Sequence, residues 1–351
     1  PDPAPKRGQV RAIEQPTRFD FFVRATGCVP KAAALVLESL VTGASTRIDI
    51  GPQDAPQLPT TVVSVDAVPQ FRAQELSPHP WSFPPRPAPR TIHLEGLVAM
   101  PESRRYAPTD TVVIAPGTDL ALGPEASLLF EGKVTMLGTS ARPITIRRLD
   151  PARPFGGVAL QGPGTAGSRM NGVVIDGGTH ARSARVDYPG LVNVHDTSDV
   201  ALSDWIIRNN TASEDVIHAN AVEALALHEI NVAGAPIDGI DLEYVTADVR
   251  GVRVSDAGDD CVDLMGATLR IHDSLMLRCT NNGISAGEET DLTAHGVVVA
   301  AAKTGILSKN ASEVRLIRSL IYRTKNALKA RRKEVRYGGT CLLYTSPSPR
   351  D

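Results

Sequence analysis

Four consecutive stretches of this chain can be laid over one another at a spacing of 22 residues. They are residues 240–261 (IDLEYVTADVRGVRVSDAGDDC), 262–283 (VDLMGATLRIHDSLMLRCTNNG), 284–305 (ISAGEETDLTAHGVVVAAAKTG) and 306–327 (ILSKNASEVRLIRSLIYRTKNA). A fixed period in the twenties means one structural unit stacked on copies of itself, so side chains must be read along faces of a stack. Rungs of this length, with short apolar runs parted by turns, fit three strands per turn of a parallel β-helix. The helical patterns of ankyrin, tetratricopeptide and armadillo arrays are missing, and so is the LxxLxLxxN column of leucine-rich repeats. With two Trp but 29 Gly and 27 Pro, the composition also suits many short strands and turns.

The expected fold class is therefore all-β: a single-stranded parallel β-helix of about 22-residue rungs, preceded by a small β-rich module. Residues 1–17 read as a linker. Residues 18–76 (FDFFV, AAALVLESLV, TRIDI, TTVVSV) read as a small β-sandwich-like module, although AAALVLESL also fits a turn or two of helix. Residues 77–90 (SPHPWSFPPRPAPR) form a stiff Pro-rich connector, residues 91–336 the β-helix and residues 337–351 a tail. The last stretch, CLLYTSPSPRD at 341–351, reads as adapter-derived and outside the fold. The opening PDPAPKRG suggests a piece of a larger protein.

Net charge is -2, so no global field points to nucleic acid, and no apolar run is long enough to span a membrane. The basic run at 325–336 lacks interleaved aromatics and reads as a solvated terminal rung able to hold an anionic sugar chain. Cys28, Cys261, Cys279 and Cys341 show no metal-ligand spacing, and Cys261 and Cys279 fall on different rung positions, which predicts buried thiols without a disulfide framework. His195, His218, His228, His272 and His295 do not stack in one column at this period, which predicts surface or turn roles.

Residues one rung apart sit about 4.8 Å from each other, so outward positions form columns. Inward columns are expected at Ile240, Val262, Ile284 and Ile306, and at Val254, Met276 and Val298. Outward columns run Glu214, Asp238, Asp260, Asn282, Thr304, Asn326; then Asp241, Asp263, Ser285, Leu307, Lys329; then Glu243, Met265, Gly287, Lys309, Arg331. One face thus passes from acidic rungs to basic ones. Carboxylates at that spacing repel by about 3.5 kcal/mol at an effective dielectric near 20. A shared proton, a bound Ca²⁺ at Asp238, Asp260 and Asp263, or splayed and hydrated side chains would relieve this, and Asp and Asn columns also cap backbone groups at turns.

The repeat pattern resembles the right-handed parallel β-helix superfamily of pectate-lyase-like proteins over roughly two thirds of the chain. Within it DGID at 238–241, GDDC at 258–261 and NGISAG at 282–287 resemble the successive NTDGID, GDDC and GHGIS motifs of polygalacturonase-type glycoside hydrolases. That resemblance implies Asp238, Asp259 and Asp260 as general acid and water-activating bases. The family His before GIS is Asn282 here, and its RIK motif reads Leu307-Ser308-Lys309. The module, the helix and the ending KARRKEVRYGG also resemble the C-terminal part of spore-coat-H-like (CotH-type) bacterial surface proteins.

Three functions follow as expectations. The leading one is a secreted or cell-surface β-helix that binds polysaccharide, or acts as a scaffold, without turnover and without a cofactor; Asp241, Asp263, Asn282, Lys309 and Lys329 would contact the glycan. The second is a uronate-glycan hydrolase using Asp238, Asp259 and Asp260, with Lys309 holding a substrate carboxylate. The third is a Ca²⁺-assisted polysaccharide lyase with Lys309 or Lys303 as base.

Overall fold

The computed structural model describes residues 33–38 and 45–50 by their backbone, and residues 88–345 except 184, 185 and 187. The chain divides into two compact units, Pro1–Gln74 and Glu75–Asp351. In the first, the strands Ala33–Glu38 and Ser45–Ile50 pair antiparallel, with Ala33 opposite Ile50. The β-rich reading of AAALVLESL thus holds over its helical alternative, while FDFFV, TTVVSV and residues 77–87 of the connector lie outside the described residues.

The second unit is a parallel β-solenoid of about 10 stacked turns. A regular rung supplies three strands, for example Val262–Met265, Thr268–His272 and Leu275–Cys279, each pairing with its counterpart one rung on. Alternation does the rest: in Thr268–His272 the side chains of Leu269 and Ile271 are buried, while Thr268 and Arg270 face out. The buried positions of every rung join into one apolar core running from Met100 to Leu316, in which Trp205 is fully enclosed and donates its Nε1–H to the carbonyl of Met170 at 2.9 Å. Between first and second strands the chain turns through left-handed residues in rung after rung: at Asp196, Ala221, Tyr244 and Gly266, and at the pairs Glu288-Glu289 and Asn310-Ala311.

The first inward column is as expected, Ile240, Val262, Ile284 and Ile306 being in register and buried. The second is not: Met276 pairs with Val299, which is fully buried, and Val298 pairs with Leu275 on the outer side. The reason is local. The corner at Gly287-Glu288-Glu289-Thr290 holds one residue more than the one before it, so Thr268 pairs with Asp291, and the register returns by Thr304 opposite Asn282. Because side chains alternate, a slip of one residue moves a whole strand's pattern to the opposite face.

Two further expectations are corrected. Cys261 and Cys279 form a disulfide, with Cα atoms 5.4 Å apart. Cys279 stands over Ala257, and the corner Gly258-Asp259-Asp260 folds Cys261 back toward that position, so residues unlike in rung position still meet across the turn. Cys341–Thr345, set outside the fold on sequence, is a strand paired in parallel with Glu313–Ile317.

Candidate functional site

The first strands of successive rungs, which include residues 190–195, 215–220 and 238–243, present one outward face. On it the column through Asp241 runs Ala159, Asn193, His218, Asp241, Asp263, Ser285, Leu307, Lys329, every step being in register. The parallel column two residues on runs Gln161, His195, Asn220, Glu243, Met265, Gly287. The expected columns therefore exist and extend further toward the N-terminus than the strict 22-residue period reaches, because the rungs there are longer.

Those longer rungs bring the histidines together. Nε2 of His195 lies 2.7 Å from Nδ1 of His218, and Nε2 of His218 lies 3.7 Å from Oε2 of Glu243. Both rings are buried, 7% and 6% exposed, contrary to the surface roles read from sequence. His272 and His295 are also in register, one rung apart on the second strand face. A uniform 22-residue step misses these pairings, because His218 and Asp241, and likewise His272 and His295, are 23 apart. Burial holds His195 neutral, down to about 3, and His218 lowers it further. Glu243 is ionised well below the usual carboxylate range, held by His218 and by Nδ2 of Asn220 at 2.6 Å. If His218 gives its Nε2–H to the Glu243 carboxylate, its Nδ1 accepts from Nε2–H of His195, leaving Nδ1 of His195 without a proton. The tilted ring of Tyr188 stands 5.3 Å from that of His195; burial pushes its hydroxyl up to about 12, and it donates to Oε1 of Gln161 at 3.3 Å.

Beside this chain lie carboxyls that burial keeps protonated. Asp241 is pushed up to about 10 and Asp215 to about 8, chiefly by desolvation, and next by the charge of Asp215 on Asp241 and of Asp238 on Asp215. Asp215, rather than the expected Glu214, stands opposite Asp238, again because this rung is one residue longer. Asp215, His218 and Asp241 each offer one ligand atom, all within 4.8 Å of one another.

The three carboxylates implied by the hydrolase resemblance also meet: Asp238, Asp259 and Asp260 offer oxygens within 4.8 Å of one another. Two of them cap the backbone. Oδ1 of Asp238 accepts the Asp260 N–H at 2.7 Å, and Oδ1 of Asp260 accepts both the backbone N–H and the side-chain Nδ2–H of Asn282 at 2.8 Å. Burial still raises Asp238 to about 7 and Asp260 to about 6. Asp263, expected to join Asp238 and Asp260 around Ca²⁺, instead lies 3.7 Å from Nζ of Lys309, whose side chain runs buried over Gly287. Lys329 and Arg331 stand exposed at the far end of the face.

No family model matches the sequence, and no curated protein does. The fold is similar to several solved structures. A periplasmic alginate epimerase, AlgG, is 10% identical with a TM-score of 0.42, over 73% of this chain and 76% of that one. The Azotobacter vinelandii mannuronan C-5 epimerase AlgE6 A-module is 12% identical with a TM-score of 0.35, over 74% and 92%. An alginate lyase from Paenibacillus sp. str. FPU-7 is 14% identical with a TM-score of 0.31, over 72% and 99%.

Proposed function

We propose that this protein cleaves a uronate-containing polysaccharide by β-elimination on the first-strand face, with the chain Glu243–His218–His195 as base and Tyr188 as acid. The observation that carries this reading is the 2.7 Å contact between the two buried imidazoles, one of them backed by a carboxylate. A plain binding surface has no use for such a chain, because burying two imidazoles against a half-buried carboxylate opposes folding unless they do work.

The steps balance. The C5 proton of a uronate is acidified when its carboxylate is neutralised, and the protonated Asp241 can donate a hydrogen bond to that carboxylate. Nδ1 of His195 takes the C5 proton; the electron pair forms the C4–C5 double bond; the C4–O bond breaks; the leaving oxygen takes the Tyr188 proton. Although His195 is a weak base in the free protein, a bound anion favours its protonated form, as the Glu243 charge already does. Lys309, buried and ion-paired with Asp263, is not the base.

Hydrolysis by Asp238, Asp259 and Asp260 is supported less. What counts against it is that two of the three groups are engaged on backbone N–H groups: Asp238 on that of Asp260, and Asp260 on that of Asn282. A secreted or cell-surface location is supported by the Cys261–Cys279 disulfide, since such bonds persist in oxidising compartments.

Incubation with a panel of uronate polymers, read by the absorbance of unsaturated ends and by reducing ends together, tests the reading. Elimination gives both signals, and both vanish in His195→Ala. Reducing ends without absorbance would return the reading to hydrolysis. Binding with neither signal would return it to a scaffold.

A further inference from the structure

The first-strand face is walled off at its N-terminal end and carries exposed cations at its C-terminal end. Toward the N-terminus its column continues through Ala159 and Leu129, and Ala181, Val186 and Tyr188 pack down on these two side chains, leaving Ala159 fully buried. Residues 180–183 and 188–189 are therefore a wall across the face, tied down where Ala181 N–H donates to the Gly190 carbonyl and Arg182 N–H to Oγ of Ser127. Tyr188 belongs both to this wall and to the site, so the reactive position abuts the closed end.

Toward the C-terminus Ser285, Leu307 and Lys309 are buried, and exposure returns at Lys329 and Arg331. The two columns end in Leu307–Lys329 and Lys309–Arg331, and neither Lys329 nor Arg331 has an ion-pair partner among the described residues. Lys329 and Arg331 lie two residues apart on one rung, and this exposed pair of cations at the end of the face attracts a polyanion that reaches it.

We infer that an anionic glycan lies along the solenoid with one terminus stopped at the Tyr188 wall and the remainder running out toward Lys329 and Arg331, so that cleavage occurs next to the chain end. This rests on the elimination reading but goes beyond it, since elimination alone leaves open where along the polymer the bond breaks.

The test uses the full chain with a uronate polymer labelled at one end or the other. Terminal action releases one label in short products from the first minutes, keeps the other in long polymer, and lets viscosity fall far more slowly than absorbance rises. Lys329→Glu combined with Arg331→Glu should raise KM by about tenfold while kcat stays within about twofold, and added salt should have less effect on it than on the parent. A broad product ladder with an early collapse of viscosity would overturn terminal action while leaving elimination intact. An unchanged KM in the double variant would overturn the part given to the cationic pair. Absence of absorbance on every uronate polymer, by contrast, would remove the elimination reading and the inference with it.

Discussion

The first and second strands of the same rungs carry comparable numbers of charged residues and treat them in opposite ways. On the second-strand face Asp291 and Glu313 pair with Arg315 at 2.6 and 2.8 Å, and Asp248 meets His228 at 3.0 Å, all substantially exposed; Asp248, Asp291 and Arg315 line a 340 Å³ groove with Thr246, Thr268 and Arg270. On the first-strand face Asp241 and Asp215 are desolvated with no cation beside them, and their carboxyls hold their protons at neutral pH. Ion pairs in water are worth little and perturb little; unpaired groups taken out of water are displaced by several pKa units and persist only where something needs them. Charge density does not mark the site. Burial without a partner does.

The largest expected difference between the faces is catalytic. His195→Ala should lower turnover by about 10²–10⁴-fold, whereas Arg315→Ala should leave it unchanged; equal losses in the absorbance assay would erase the distinction. Next comes the corner beneath the site. Replacing both Cys261 and Cys279 by Ser should lower the unfolding free energy in urea by about 3 kcal/mol, as expected for a closed loop of this length.

A smaller effect separates the faces by pH. The folded-state values of Asp241, Asp215 and Asp238 lie above the ordinary one, so the native state binds protons that the unfolded chain has released above about pH 4. Their contribution to stability is fully present below that pH and is lost as pH rises through about 7, 8 and 10. His195 works in the opposite sense, its contribution being lost as pH falls from about 6.5 toward 3. The melting temperature should therefore drop between neutral pH and pH 9. Asp241→Asn should flatten that drop, while Asp291→Asn on the other face should not. Smallest of all, Arg315→Ala should change stability by no more than about 1 kcal/mol, since both of its partners are solvated.

Reading the sequence at a fixed step recovered the rung, the inward column of Ile240, and the outward neighbours Asp241, Asp263 and Lys329. The same uniform step hid what mattered most. His195, His218 and Asp215 sit on rungs one or more residues longer than 22, so a strict grid scatters groups that the backbone brings into contact. Tyr188 carried no signal at all, being an irregular loop residue placed by packing on Ala159. The disulfide was lost for a related reason, since Cys261 and Cys279 meet across a corner and not along a column.

By itself the sequence determined the architecture, because a repeated alternation of apolar and polar residues with turns between admits one economical solution, a stack of parallel strands around a shared core. It also determined that one face would run from acid to base. Only the tertiary structure decided which acids are desolvated, which imidazoles touch, and which end of the face is closed. Those depend on single-residue insertions at corners and on a loop laid over a neighbouring rung, and a period carries no information about either.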